Sequence, residues 1–245
     1  MSEKNIETLV NKIVEGNADE QLESAIELQE LIMEKPDIKK QISNKVIDLL
    51  KKEKNPLKLI RIVWIISIFE LEEVKPYLKD ILKDSEGILR ENVVLSIGIL
   101  KEKSLIDELI KIMKNKDDIA REEAAISLGL MKVHDAFDSL VELLDDKDID
   151  IVLAACLALA CLGDKKAIKP LTKKLVDSNK FIRKYAAKAI FSFGKEALEE
   201  VKASIKELPL HQRIRGMGVI NKLLKDLQKS DFIKDMQPVK DLIKF

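Results

Sequence analysis

Glycine and proline are scarce in this chain, eight and six residues among 245, and β-branched residues hardly ever alternate with polar ones. Sheets of short strands need both turn residues and that alternation, so an all-α fold is expected. Cysteine is scarcer still, with only Cys156 and Cys161. So few cysteines among many lysines suit a reducing cytoplasm, and the charged start MSEKNIETLV reads as no signal peptide. Five positions apart on one helix, the two thiols point away from each other and read as small buried hydrophobes. No apolar run reaches the roughly 20 residues that cross a bilayer, so no membrane span is expected.

Catalytic signatures are missing as well. His134 and His211 are the only histidines, and no HExxH, paired CxxC or carboxylate–histidine cluster accompanies them. Gly216, Met217 and Gly218 make too short a run for a phosphate loop. Ser, Cys and His are nowhere arranged as a nucleophile and its base. A protein without catalysis, metal or other cofactor is expected.

Charge is balanced in total, 43 basic against 43 acidic residues, but not along the chain. The net value is −2 over residues 1–83, −8 over 84–163 and +10 over 164–245. An acidic middle joined to a basic final third gives the chain a strong charge asymmetry.

What is present is a repeat. Arg90, Arg121, Val152 and Arg183 stand 31 residues apart, and one step back lies Leu59. Each is followed at equal offsets by small or branched pairs: Val93 and Val94, Ala124 and Ala125, Ala155 and Cys156, Ala186 and Ala187. A second apolar series keeps the same step, through Leu78, Leu109, Leu140 and Leu171, and through Leu82, Met113, Leu144 and Leu175. Every unit therefore reads as two helices, with Asp-rich turns such as 145–150 supplying N-caps. Neither helix buries its apolar face alone, but stacked pairs share one continuous core. In the middle stands IVLAACLALACL, residues 151–162, apolar on every face and closed by Gly163. Such a helix must be covered all round or offer one face to a partner.

The expected architecture is an α-solenoid of stacked antiparallel helix pairs, one domain over 1–245. Residues 1–54 form a degenerate N-terminal cap and first pair, 55–205 the regular repeats, and 206–245 a degenerate C-terminal cap. Helices are expected at 3–15, 18–34, 37–53 and 208–229, with a short closing helix at 231–245.

The pattern resembles the HEAT repeats, in particular the short HEAT-like repeats of phycobilisome-lyase subunits. Residues 121–129 carry the likeness, Arg-x-x-Ala-Ala-x-x-Leu-Gly, with counterparts at 84–98 and 177–187; Pro76 and Pro170 resemble the proline of the outer helix. The resemblance implies that the Arg-bearing helix lines the concave surface. It also implies a ladder of arginine-to-turn hydrogen bonds, broken where Val152 replaces the arginine. Relatives with activity leave no trace here. HEAT-repeat hydroxylases bind iron through His-Glu pairs, whereas Asp135 follows His134 and Gln212 follows His211. Repair glycosylases of this build favour a basic, aromatic-lined groove, and this chain has one Trp, two Tyr and no net charge. Nothing marks a bilin site.

At about 100° per residue, offsets after each anchor assign faces. The small pairs point to the core, and the opposite face carries an apolar stripe of Trp64, Leu95, Ile126 and Leu157, with Ile68, Ile99 and Leu130 beside it. Arg61, Glu91, Glu122 and Leu153 flank the stripe, and Lys184, Tyr185 and Lys188 finish it. Neighbouring helices can cover these residues or leave them to a partner, and both readings stand from Leu95 to Leu130. A lone Trp is a usual hot-spot residue, which points Trp64 towards binding. The expected partner is a protein, offering a helix or an apolar peptide to the concave groove. The alternative is nucleic acid, held by Lys180, Arg183, Lys184, Lys188, Arg213 and Arg215.

Core positions and outer positions should respond differently to substitution. Ala125→Leu overpacks a helix contact and is expected to lower stability by about 1–3 kcal/mol, while Glu142→Ala on the outer helix leaves melting unchanged. Equal melting shifts for the two variants would contradict the assigned faces.

Overall fold

The computed structural model describes residues 3–194 and 197–228, and all regular structure among them is helical. The chain divides into two compact units, Met1–Leu105 and Ile106–Phe245. The closing helix expected at 231–245 lies outside the described residues.

The first unit contains α1 (Glu3–Glu15), α2 (Ala18–Glu34), α3 (Ile38–Lys52), α4 (Pro56–Ile68), α5 (Lys75–Asp84) and α6 (Gly87–Ile99). Local chemistry places the helix starts. Asn17 and Glu20 form a reciprocal capping box at α2, with bonds of 3.0 and 2.9 Å, which satisfies two otherwise orphaned N–H groups. Asn55 caps α4 and is followed by Pro56, whose missing N–H costs nothing in the first turn. The amphipathic α1 buries Ile6, Leu9, Val10, Ile13 and Val14 and packs on α2, α3 and α4. Both α4 and α5 pack on α6.

The second unit contains α7 (Ile106–Lys114), α8 (Arg121–Leu130), α9 (Phe137–Leu143), α10 (Ile149–Leu162), α11 (Ile168–Lys174), α12 (Lys180–Phe191), α13 (Ala197–Lys206) and α14 (Leu210–Gln228). Here α8, α10, α12 and α14 make one row, each against the next. Behind them α7 packs on α8, α9 on α10, α11 on α12, and α13 on both α11 and α14. This is the stacking of helix pairs that the 31-residue period predicts. Asp148 caps α10 by accepting the Asp150 N–H at 3.0 Å, and the apolar run begins one residue later. The row is tightest between α8 and α10. A Cβ added to Gly129 would lie 2.6 Å from the Cα and O of Ala158, so the two backbones touch.

The repeat also appears in the backbone. Glu70, Lys101, Lys132, Gly163 and Gly194 follow one another at 31-residue steps, and all have positive φ, between 49° and 80°. Each ends an Arg-bearing helix or its counterpart. At Lys132 the closing bonds are Lys132 N to Gly129 O, 3.0 Å, and Val133 N to Leu128 O, 3.0 Å. They satisfy carbonyls that the helix end leaves open, in the pattern of a Schellman motif. Glycine adopts this conformation freely, whereas a residue with a Cβ is held there at a cost of about 1 kcal/mol. Lys132→Gly is therefore expected to raise stability by about 0.5–1 kcal/mol, and Gly163→Ala to lower it by a similar amount. Urea unfolding of both variants checks this; a lower midpoint for Lys132→Gly would contradict the assignment.

Candidate functional site

The Arg-bearing helices are held in place by their arginines. Arg90 donates to Leu82 O at 3.2 Å and Arg121 to Met113 O at 3.3 Å, one period apart in both donor and acceptor. Arg183 donates to Asp177 O and Ser178 O, 2.8 and 2.7 Å. Each guanidinium thus satisfies carbonyls at the end of the preceding helix or in the following turn. Val152 is buried and offers no such donor. The turn it would have served carries Asp146, and Arg121 from the preceding unit reaches that carboxylate at 2.7 Å.

Two of the expected partner-facing residues are used elsewhere. Arg61 lies two positions beyond its anchor, and its guanidinium donates to Val14 O and Gly16 O, 2.8 and 3.2 Å, at the end of α1. It serves the N-terminal cap as the ladder arginines serve their turns. Ile126 is buried; α8 and α10 meet at Gly129, one turn away, so its offset alone does not leave it open.

The others are partly open. In the first unit Trp64 and Ile68 on α4, and Glu91, Leu95 and Ile99 on the adjacent α6, are half-buried. In the second unit Glu122 and Leu130 on α8 and Leu153 and Leu157 on α10 are half-buried too. On α12, Lys184 is exposed, while Tyr185 and Lys188 are half-buried, with the Lys188 ammonium 5.9 Å from the Tyr185 ring centre. The apolar run of α10 is therefore covered by α8, α9 and α12 on most sides, and the strip of Leu153, Leu157, Ala160 and Cys161 stays partly open.

A feature that the offsets did not include is a second apolar series. Leu57, Ile88, Ile119 and Phe181 stand at 31-residue steps, in Phe181's case two steps on, and all four are exposed at the starts of Arg-bearing helices. The period alone would have found them, had exposed positions been followed as closely as core ones.

The chemistry available is limited. Burial pushes the Cys156 thiol up to about 12 and also raises Cys161, so neither supplies a thiolate at neutral pH. Among the described residues no group of three or more His, Cys, Asp or Glu is placed to hold a metal ion. None of the described helices is long and apolar enough to cross a membrane.

A family model described as HEAT repeats matches residues 43–129, 76–160 and 138–210. The chain belongs to the HEAT-repeat family. Among solved structures, this HEAT-repeat protein is similar to a chain in the complex of CpcE and CpcF of phycocyanin lyase from Nostoc sp. PCC7120. The TM-score is 0.53 at 20% identity, over 72% of this chain and 75% of that one, a likeness that carries the fold. No curated protein matches the sequence.

The Arg121–Asp146 pair has a pH signature. Burial acts to raise the Asp146 pKa, but the Asp148 N–H and the Arg121 guanidinium outweigh it and hold the carboxyl below the ordinary aspartate range. With the folded-state pKa depressed, the stabilisation is complete above the unfolded value of about 3.9. It is lost as pH falls through the lower folded-state value. Asp146→Asn is expected to cost about 1–3 kcal/mol at pH 7, with the gap to wild type closing below about pH 4. A gap that persists unchanged at pH 2 would show that the charge contributes nothing.

Proposed function

We propose that this HEAT-repeat protein is a non-catalytic scaffold, adaptor or assembly factor of the cytoplasm that binds another protein along the open faces of its Arg-bearing helices. The observation that carries this reading is the strip on α10. Leu153 and Leu157, with Ala160 and Cys161, stay partly open on a helix that its neighbours close on most sides, and Lys184, Tyr185 and Lys188 stand on the adjacent α12. Apolar anchors beside cations and an aromatic ring suit an amphipathic helix or apolar peptide with acidic residues on its rim. Trp64 and Leu95, half-buried on adjacent helices of the first unit, give a second patch of the same kind. The solved neighbour is part of a two-protein complex, which agrees with a protein as partner.

Nucleic acid is the weaker reading. Of its candidate residues, Arg183 donates to Asp177 O and Ser178 O, Arg213 to Leu208 O and Arg215 to Val176 O. Guanidiniums engaged with backbone carbonyls are poorly placed to neutralise phosphates, which leaves Lys180, Lys184 and Lys188 for that task.

Affinity capture from native cells with and without nuclease, followed by binding of the captured protein to variants, tests both. Capture should survive nuclease. Trp64→Ala and Leu157→Glu should each weaken binding by about 2 kcal/mol or more, with circular dichroism showing both still helical. If both folded variants bind at wild-type affinity, the site is elsewhere. If capture instead requires nucleic acid and is lost in Lys180/Lys184/Lys188→Glu, the protein-binding reading gives way to the other.

A further inference from the structure

The exposed apolar side chains at the starts of the Arg-bearing helices form a surface apart from the strip on α10. In the second unit Ile119 precedes α8, Ile149 opens α10 and Phe181 lies in the first turn of α12, and the three are 44–56% exposed. Gly129 near the end of α8 meets Ala158 near the end of α10, so these two helices run the same way and begin at one edge. Lys174, at the end of α11, reaches Asp145, just past α9, at 2.8 Å, which stacks the next pair in the same register. Each start is closed by one kind of bond: Asp118 accepts the Ala120 N–H, Asp148 the Asp150 N–H and Asn179 the Phe181 N–H, at 3.1, 3.0 and 2.8 Å. The apolar row therefore crosses three neighbouring helix starts and does not follow any one helix.

Two properties of this edge select its occupant. The first is pitch. Packed helices lie about 8–10 Å apart. A β-strand returns a side chain to the same face every ~6.7 Å, and an α-helix every ~5.4 Å or, over two turns, ~10.8 Å. A polyproline-II segment does so every third residue, at ~9.3 Å. Of the three, it alone sets successive side chains over successive helix starts. The second property is charge. Residues 115–123 carry four acids against Lys116 and Arg121, and residues 145–150 carry four against Lys147, with Lys174 adding one cation from α11. The edge around Ile119 and Ile149 is thus acidic and favours a cationic ligand. At the other end Phe181 offers a half-open aromatic ring, with the Lys180 ammonium 5.0 Å from its centre.

We propose that this edge docks an extended, cationic segment of another protein in the polyproline-II conformation, with an apolar residue at every third position and lysine or arginine between them. Its apolar side chains seat on Ile119, Ile149 and Phe181, and its cations lie over the acidic turns. A segment already in this conformation loses little freedom on docking. The site is separate from the strip on α10, so the two readings stand or fall independently.

Fluorescence anisotropy of a labelled peptide repeating Leu-Pro-Lys three times, titrated with the full chain, tests this. The peptide should bind, and bind more weakly as salt is added. Its affinity should be at least tenfold higher than that of a peptide repeating Leu-Pro-Glu. It should exceed by as much that of a peptide of the same composition with its three leucines adjacent, which keeps the charge and loses the pitch. Ile149→Ser and Phe181→Ser should each weaken binding at least tenfold, as should Asp117→Lys combined with Asp150→Lys. Ile26→Ser removes an equally exposed apolar residue from α2 and should leave binding unchanged. Circular dichroism establishes folding, and Ile119→Ser replaces either serine variant that fails to fold. A wild-type chain that leaves the peptide free at low salt overturns the proposal. So does equal affinity for the three peptides, binding that the edge variants retain, or a loss in Ile26→Ser as large as theirs.

Discussion

None of the described helices closes its own apolar face, and the architecture follows from that need for a neighbour. The tightest expression is Gly129 against Ala158, where α8 and α10 touch backbone to backbone. A helix of Ala, Leu and Cys is soluble in this setting because α8, α9 and α12 cover it on most sides. The same helix alone would expose apolar side chains all round. Small residues at the contacts set how near the helices come, and that nearness decides which outer side chains remain open.

Arginine supplies the second constraint. A helix pair stacked only by apolar burial has freedom to slide, since that attraction has no direction. The bonds from Arg90 to Leu82 O and from Arg121 to Met113 O tie each helix to a particular carbonyl. Hydrogen bonds from a guanidinium are directional and stronger than neutral ones, which suits them to fixing position. Where Val152 interrupts the series, the Asp146 carboxylate takes the donor of the unit before. One missing side chain is thereby offset by a pairing that spans two repeats.

Function, in the reading proposed here, belongs to what these two constraints leave uncovered. Leu153 and Leu157 remain partly open because α10 is apolar beyond what its neighbours close over. The basic side chains of the final third divide into two groups. Arg183, Arg213 and Arg215 donate to backbone carbonyls, while the Lys180 and Lys188 ammoniums lie over the Phe181 and Tyr185 rings. A charge count treats these alike, but the structure engages the guanidiniums with the backbone and sets these ammoniums against aromatic rings.

Much of this was legible in the residues. A 31-residue period written several times over imposes the same local rules each time, so helix pairs, the Asp-rich turn that caps α10, the core-facing small pairs and the gap at Val152 could be read directly. Offsets of about 100° per residue tell which way a side chain points. They do not tell how far away the next helix is. Tertiary structure therefore decided that Ile126 is buried while Leu157 is not, and that Arg61 donates to the end of α1. It also decided that Lys132 takes a conformation glycine favours, in the turn that closes α8. Direction is a property of the local helix and is carried by the sequence. Cover depends on the separation between elements, which exists only once they have packed.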